Sequence, residues 1–267
     1  MRKISIYNSY IKDNPSKREY MAERLKKSGF YTSRNGDLLI VIGGDGTFLS
    51  AARKRMDENP IFVGFNAGNL GFFSEFKMED IDQFITMLKK GDYWIQEYPI
   101  YEVDMVTDEG VVTDYIINDV VVKALSKTAV TSMHLRIQMN NEDIGEIYGD
   151  GVVLSSALGS TAYNMSAGGA IALGVDGFMQ MTAIAPMYSK EYLSLHHPIL
   201  FSNDAEITIF PNSRKRRSFV VGCDGRVPNT PPIQYIDIRK SEKTIRILRS
   251  KRFNPLEHLR HKILDNE

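Results

Sequence analysis

The first hundred residues alternate between short apolar runs and segments with helical spacing. Short apolar runs predict three buried strands, at residues 4–7, 38–42 and 61–65. Apolar residues at the spacing of one helix face, with proline and glycine as start and stop signals, predict helices at residues 14–25 and 81–91. Strands that alternate with helices predict an α/β domain with a doubly wound parallel sheet, in which ligands bind at the carboxyl ends of the strands.

From residue 100 onward, apolar and polar residues alternate with the period of a half-buried strand. Seven further segments have strand-like composition between polar or glycine turns: residues 111–123, 133–139, 144–154, 207–210, 219–221, 235–238 and 244–248. So many short strands predict an all-β, sandwich-like domain, followed by a helix at residues 255–264. We place the α/β domain at residues 1–99, the β-sandwich domain at 100–250 and a C-terminal helical segment at 251–267.

Composition narrows the class of protein. The 33 basic residues balance 33 acidic residues, so the chain lacks the overall positive charge expected of a nucleic-acid binder. The single cysteine, Cys223, excludes an intramolecular disulfide and a cysteine-rich zinc site. One cysteine, no signal-peptide pattern and no long apolar stretch predict a cytoplasmic protein without a membrane partner.

A glycine-rich loop, Gly43-Gly44-Asp45-Gly46-Thr47, stands between an apolar run and a helix-like segment. Such a loop lets a phosphate approach the backbone and the unpaired N–H groups at the start of the helix. Asp45 would repel a phosphate unless a cation bridges them or the carboxylate takes part in proton transfer. The alternative is that Asp45 only caps the helix and the glycines only make a tight turn.

Other polar segments follow predicted strands or interrupt them. A second glycine loop, residues 66–72, follows the third strand. Asn118 and Asp119 interrupt a long apolar run, where buried polar groups need partners; they suit a base edge and ribose hydroxyls, or alternatively form a bulge satisfied by neighbouring backbone. Small and hydroxyl residues at 159–169 are suited to facing a ligand.

Three further features favour structural roles. The basic run at residues 214–217 is interpreted as a solvated hairpin tip, with phosphate steering as the alternative. His196 and His197 have no third ligand at metal-like spacing, and Cys223 is expected to be a small buried residue. No nucleophile elbow, zinc-protease motif or Walker loop is present in the sequence.

Taken together, the motifs resemble those of the NAD kinase family, which transfers a phosphate from ATP, or polyphosphate in some members, to the adenosine 2′-hydroxyl of NAD. The matching segments occur in the family's order, at residues 43–47, 66–71, 118–119, 159–163 and 166–169. The first motif also occurs in phosphofructokinases and in diacylglycerol and sphingosine kinases, whereas the combination is more specific. The likeness covers nearly the whole chain and implies an α/β domain followed by a β-sandwich, with a C-terminal segment that returns to the first domain.

The resemblance also implies roles for individual residues. Asp45 would activate the 2′-hydroxyl, and Asn118 and Asp119 would hold the adenosine half of NAD. The adenine site would contain Thr161, Ala162 and Tyr163; the nicotinamide side Asp150, Ser166 and Ala185; and the phosphate site Gly43, Gly44, Gly46, Thr47, Asn66, Gly68 and Gly71. The implied partners are NAD, ATP with Mg²⁺, and further copies of the chain in a homotetramer or dimer.

Three positions depart from the family pattern on the NAD side. Tyr148 and His197 stand where arginine is common, and residues 156–158 read Ser-Ala-Leu instead of Thr-Pro-Thr. These departures bear on affinity or dinucleotide preference rather than on the type of reaction. We expect Tyr148→Arg to tighten binding of NADP more than NAD, because the added charge would meet the new phosphate.

Two other functions compete with an NAD 2′-kinase: a lipid kinase that shares the first glycine loop, and a non-catalytic dinucleotide-binding protein. A lipid kinase should present a basic or apolar surface to the membrane. This neutral chain has no amphipathic basic helix that would provide one.

Overall fold

The computed structural model describes residues 3–8, 15–67, 71–125, 132–188, 193–211 and 219–263. Two compact units make up the chain: Met1–Tyr98 with Lys243–Glu267, and Pro99–Glu242. No helix within the described ranges combines the length and the apolar composition needed to cross a lipid bilayer.

The described residues form the following elements. The helices are α1 (Pro15–Lys27), α2 (Asp45–Arg55), α3 (Ile81–Lys90), α4 (Tyr163–Ser166) and α5 (Pro255–Ile263). The strands are β1 (Lys3–Asn8), β2 (Tyr31–Thr32), β3 (Leu38–Ile42), β4 (Ile61–Asn66), β5 (Ser74–Lys77), β6 (Tyr93–Thr107), β7 (Gly110–Ile116), β8 (Asp119–Ala124), β9 (Met133–Met139), β10 (Glu142–Gly149), β11 (Gly151–Ser156), β12 (Phe178–Ile184), β13 (Ile199–Ser202), β14 (Ile207–Pro211), β15 (Phe219–Cys223) and β16 (Ile233–Ser250).

The first unit is built on a parallel sheet, as the sequence predicts. Its strands lie in the order β2-β1-β3-β4, and both β5 and the end of β16 pair in parallel with β4. All five residues of β3 are buried, which is expected of a strand covered on both faces. The carboxyl ends of β3 and β4, and the glycine loops that follow them, therefore lie at the same end of the sheet.

The helices of the first unit begin and end where local signals place them. Gly91 ends α3 in the left-handed conformation, with φ of 70°, and donates its N–H to the carbonyl of Leu88. Asn254 caps α5 by accepting the N–H of Leu256 at 3.0 Å. Asn14 and Leu264, the predicted ends of two helices, lie outside the described residues.

The second unit is a two-sheet structure, which confirms the predicted sandwich-like β domain. One antiparallel sheet has the order β13-β12-β11-β8-β15. The other contains β10-β9-β14 with the first part of β16, and β6 pairs with β7. Buried apolar residues from both sheets, among them Val103, Leu135, Val152 and Ile207, form one core.

Two long apolar runs that were predicted as single strands are each divided in two. The run at 111–123 breaks into β7 and β8, and the run at 144–154 breaks into β10 and β11. In both cases the two halves belong to different sheets, so the chain turns a corner between them. The corners fall at Asn118 and Asp150, where polar residues interrupt the runs. The opposite error occurs at residues 235–248, where two predicted strands are one strand, β16.

Candidate active site

The first glycine loop connects β3 to α2 through a backbone that only glycine fits. Gly43 has φ of 155°, and a Cβ there would lie 2.6 Å from the Cβ of Thr47. Its N–H donates to the carbonyl of Phe65 at 2.9 Å, which ties the end of β3 to that of β4. A Cβ on Gly46 would meet no described atom within 4 Å, so this side of the helix start is open to a ligand.

Asp45 is the first residue of α2 rather than its cap. The cap position belongs to Gly44, and no side chain caps the helix, so the capping interpretation of Asp45 is wrong. Instead, the Asp45 carboxylate accepts the N–H of Phe72 at Oδ2 (2.9 Å) and the N–H of Phe73 at Oδ1 (3.0 Å). A Cβ on Gly71 would lie 3.1 Å from Oδ1, so the chain passes closely against the carboxylate. Asp45 thus joins the two glycine loops.

The second glycine loop is described at both ends but not in its middle. Asn66 ends β4 and is buried, whereas Gly68 lies outside the described residues. Two lysines bring positive charge to this region: Lys17 donates its Nζ to the carbonyl of Ala67 at 3.2 Å, and Lys262 extends from α5. Burial lowers the pKa of Lys262, and the negative charge of Asp45 opposes that change. Positive charge near a phosphate site favours an anionic ligand.

The second group of predicted residues lies at the 117–119 turn, between β7 and β8. Asp224 holds this turn from β15: its carboxylate accepts the N–H of Ile117 (2.9 Å), Asn118 (2.8 Å) and Asp119 (3.2 Å). On the other side, Ser156 donates its hydroxyl to the carbonyl of Ile117 at 2.5 Å and its N–H to that of Asn118 at 2.8 Å. The backbone of the turn is satisfied, but the buried Oδ1 of Asn118 has no partner among the described residues. Neighbouring backbone therefore does not satisfy this oxygen, and a buried acceptor of this kind needs a hydrogen-bond partner.

Asp119 has an unusual ionisation. Burial is the main cause that raises the pKa of its carboxyl to about 7, the negative charge of Asp224 adds to the rise, and the N–H of Tyr163 opposes it. Near neutral pH the group is present both as an acid and as a carboxylate. Lys123, at the other end of β8, lies with its Nζ 3.5 Å from the Tyr163 hydroxyl. Ribose hydroxyls that donate to Asp119 would favour its ionised form.

The predicted adenine-site residues lie directly against this turn. Thr161 ends a short 3₁₀ helix, Leu158–Thr161, and Ala162 and Tyr163 follow it. A Cβ on Gly159 in this helix would approach the carbonyl oxygen of Asn118 to 2.2 Å. Thr161 and Ala162 are partly buried, and Tyr163 is 37% exposed. The structure therefore brings Thr161, Ala162 and Tyr163 together with the Asn118 and Asp119 pair.

A buried polar network holds the segment that follows α4. Asn164 is fully buried, and its Oδ1 accepts the hydroxyl of Thr182 at 2.8 Å. Gln180 accepts the N–H of Ala170 at 2.8 Å and donates to the carbonyl of the same residue at 3.2 Å. These contacts fix the chain beyond Ser166, which is exposed at the end of α4.

Asp150 and Ala185 lie at the opposite end of β11 from the residue that pairs with Asp119. The N–H of Asp150 donates to the carbonyl of Ile184 at 2.9 Å, and Asp119 pairs with Ser155 five positions further along β11. This separation is about 16 Å at about 3.3 Å per residue. Ala185 has φ of 44°, a strained conformation for a residue with a Cβ. Asp150 and Ala185 thus lie apart from Asp119, whereas Ser166, at the end of α4, follows directly after the predicted adenine-site residues.

The structure shows the contacts and the exposure of the positions that depart from the family pattern. The hydroxyl of Tyr148 donates to Glu146 at 2.7 Å, and its ring stacks on that of His134 at 4.1 Å. An arginine at 148 would lie near the Glu146 carboxylate. The negative charge of Glu146 would partly neutralise the positive charge that was expected to interact with the phosphate of NADP. Leu158 opens the 3₁₀ helix without a hydroxyl, and His197 is exposed.

The remaining predictions have mixed outcomes. Cys223 is fully buried, which confirms the prediction of a small buried residue. The basic run at 214–217 lies outside the described residues. Among the described residues, no group of three or more His, Cys, Asp or Glu side chains could hold a metal ion.

The sequence analysis missed the side chains that support the site. Asp224 lies 105 positions from Asp119 along the chain, and Gln180 is inside a strand. The only local signal for Asp224 was its place before Gly225 at a strand end, which indicates a turn. The only signal for Gln180 was its place inside a strand. A buried amide needs hydrogen-bond partners, so a glutamine there indicates a polar network.

Comparison with known families gives two adjacent matches. The sequence model of the ATP-NAD kinase N-terminal domain matches residues 11–93, and that of the ATP-NAD kinase C-terminal domain matches residues 117–250. Among curated relatives, an NAD kinase of Finegoldia magna is 31% identical over 252 residues, covering 90% of this chain and 91% of the relative. One of Sulfurimonas denitrificans is 30% identical over 229 residues, covering 85% of this chain and 77% of the relative.

Two solved structures have a similar fold. Yeast NADH kinase complexed with NADH superimposes with a TM-score of 0.84 at 19% identity, covering 100% of this chain and 89% of the other. An NAD kinase from Archaeoglobus fulgidus in complex with ATP gives a TM-score of 0.76 at 21% identity, covering 97% and 99%. At these identities the comparison establishes the fold alone.

Proposed function

The chain belongs to the NAD kinase family, and on that premise we propose which residues carry out its phosphoryl transfer and how. It is an NAD kinase, and nothing in the family matches supports a lipid kinase. We assign the reaction to transfer of the terminal phosphate of ATP to the adenosine 2′-hydroxyl of NAD, with polyphosphate as an alternative donor.

The glycine loops bind the triphosphate in this proposal. The open side of Gly46, the positive end of α2 and the nearby Lys262 all favour an anion. The predicted contacts are Gly43, Gly44, Gly46, Thr47, Asn66, Gly68 and Gly71.

Mg²⁺ would arrive on the triphosphate, whose oxygens suit a hard cation that keeps several waters. The ion would neutralise charge on the transferring phosphate.

Asp45 is the proposed general base. The observation that carries the proposal is that each oxygen of its carboxylate accepts one backbone N–H, from Phe72 or Phe73. These bonds fix the orientation of the carboxylate but leave each oxygen with capacity to accept a proton from a hydroxyl.

The second unit binds NAD. Asn118 and Asp119 are assigned to the adenosine half, since the free oxygen of Asn118 suits a base amino group and the Asp119 carboxyl suits ribose hydroxyls. Thr161, Ala162 and Tyr163 would line the adenine, and Asp150, Ser166 and Ala185 would contact the nicotinamide side.

We further propose a cytoplasmic homo-oligomer, a tetramer or a dimer. A chain with a single cysteine, Cys223, suits a reducing compartment. Exposed apolar side chains on the second unit, such as Tyr188, Leu193 and Val227, support contacts with further copies. Light scattering of the purified protein tests the assembly.

The decisive experiment measures NADP formation from Mg-ATP and NAD by wild type and Asp45→Asn. We expect turnover to fall by about 10²- to 10⁴-fold, the usual contribution of a general base, with little change in NAD affinity. Asparagine keeps one acceptor oxygen and loses the other, so the variant should also lose about 1–3 kcal/mol of stability. Near-normal turnover by folded Asp45→Asn would refute the assignment.

A further inference from the structure

The backbone that holds Asp45 is itself held from the C-terminal segment. The carbonyl of Phe72 accepts a hydrogen bond from Nε2 of His258 on α5 at 2.9 Å. The carbonyl of Phe73 faces Nη1 of Arg249, at the end of β16, at 3.3 Å. The two N–H groups of this pair bind Asp45, so both N–H groups and both carbonyls have partners.

One of these contacts acts on Asp45 through a single peptide group. The carbonyl of Phe72 and the N–H of Phe73 belong to the same planar peptide, and in a trans peptide they point in opposite directions. His258 binds one side of this peptide and Asp45 Oδ1 binds the other. Fixing the carbonyl therefore fixes the direction of the N–H, and hydrogen bonds in such a chain polarise one another.

His258 is suited to donate in this position. Burial lowers its pKa to about 4, and nearby positive charges on Arg249, Lys262 and His261 contribute, while the bond to Phe72 opposes the change. The ring is therefore neutral at physiological pH. Since a carbonyl can only accept, Nε2 carries the proton and Nδ1 does not.

Arg249 is buried and is held by several side-chain contacts. It is 3% exposed, its guanidinium lies 4.3 Å from the ring of Phe253, and its Nε donates to Gln96 at 3.3 Å. The ring of Phe253 also contacts that of His258, with centroids 5.4 Å apart. The two donors thus belong to one packed cluster in the first unit.

We propose that His258 is a positioning residue for Asp45, and that it sets the direction of the Asp45 carboxylate through the Phe72–Phe73 peptide. The inference rests on the catalytic role proposed for Asp45. Loss of the His258 donor should let the peptide rotate and the base leave its productive geometry, which lowers turnover more than substrate binding.

The first test compares three variants by kcat, KM for NAD and melting temperature. His258→Ala removes the donor, and we expect kcat to fall about tenfold with KM for NAD unchanged. His258→Gln supplies an amide N–H at similar reach and should restore kcat to within about twofold of wild type. His261→Ala, an exposed histidine on the same helix, is the matched control and should behave as wild type.

Either of two results would overturn the proposal. One is unchanged kcat in folded His258→Ala. The other is an equal loss of kcat in His258→Gln and His258→Ala, since a purely packing role would not be rescued by a donor.

A double mutant separates this inference from the function on which it rests. If His258 acts through Asp45, His258→Ala should cause no further loss of the residual rate in Asp45→Asn. Losses that multiply would show that His258 acts independently and would refute the inference alone. Normal turnover in Asp45→Asn would refute the role of the base, and the positioning role with it.

Discussion

Replacing Asp224 by asparagine removes one of the three hydrogen bonds that anchor the 117–119 turn, and the side chain keeps its size. The carboxylate accepts the N–H of Ile117 at Oδ2, and those of Asn118 and Asp119 at Oδ1. The asparagine oxygen can keep the two bonds at Oδ1, but its NH₂ group would then face the N–H of Ile117. One buried backbone donor loses its partner, and the turn that presents the proposed NAD contacts is loosened.

The size of the effect follows from these contacts. An unsatisfied buried N–H costs about 1–3 kcal/mol, so the free energy of unfolding should fall by about that amount. We expect NAD to bind about tenfold more weakly, which corresponds to about 1.4 kcal/mol. Denaturant unfolding and calorimetric titration with NAD measure the two quantities.

The pH dependence gives a second measurement of the same variant. The pKa of Asp119 is raised to about 7, mainly by burial and then by the charge of Asp224. If NAD hydroxyls donate to the carboxylate, wild-type affinity should rise as pH increases towards 7 and level off above it. Asp224→Asn removes only the second cause, so the midpoint should move to lower pH but stay above the ordinary value of 3.8.

The stability of the ligand-free protein should change with pH in the opposite direction. The folded pKa of Asp119 is raised, so its contribution is full below the unfolded pKa and is lost as pH rises through about 7. Asp204→Asn, which makes the same charge change at a side chain that is 72% exposed, is the control. Unchanged stability, NAD affinity and pH midpoint in Asp224→Asn would refute the reasoning.

Further predictions concern two glycines and a histidine. Gly159→Ala would bring a Cβ to 2.2 Å from the carbonyl oxygen of Asn118, and we expect it to lower the free energy of unfolding by at least about 1–3 kcal/mol in denaturant titration. Gly46→Ala meets no described atom within 4 Å, so its stability should be close to that of wild type while KM for ATP rises in steady-state assays; an unchanged KM would place the triphosphate elsewhere. Because the pKa of His258 is lowered to about 4, its neutral form contributes stability that is lost as pH falls from about 6.5 to 4, and His258→Gln should reduce this acid sensitivity in melting curves.

The sequence predicted the parts of the fold that depend on local patterns. The strand β3, with its five buried residues and the glycines after them, is recognisable from the local sequence, and so is α3 with its terminal Gly91. The division of residues 111–123 into strands of two sheets was missed, because the polar pair Asn118 and Asp119 is equally compatible with a bulge in one strand. Periodicity reports which residues are buried, not which sheet buries them.

The candidate site was predictable only in its ligand-facing residues. Asn118 and Asp119 were recognisable as polar residues inside an apolar run, and Asp45 by its place in a glycine loop. Their supports, Asp224 and His258, are distant in sequence and resemble ordinary turn and helix residues. Such hydrogen bonds depend on tertiary structure, which a single sequence does not display.

At the corner around residue 118, the residues that maintain the bend are different from the side chain that is proposed to contact the ligand. The backbone of the corner is held by Asp224 and Ser156, so neither the Asn118 side chain nor a strand ladder is needed to maintain the bend. Libraries at position 118 should therefore yield folded proteins whose binding of the adenosine half of NAD is altered, because the bonds from Asp224 and Ser156 to the backbone remain.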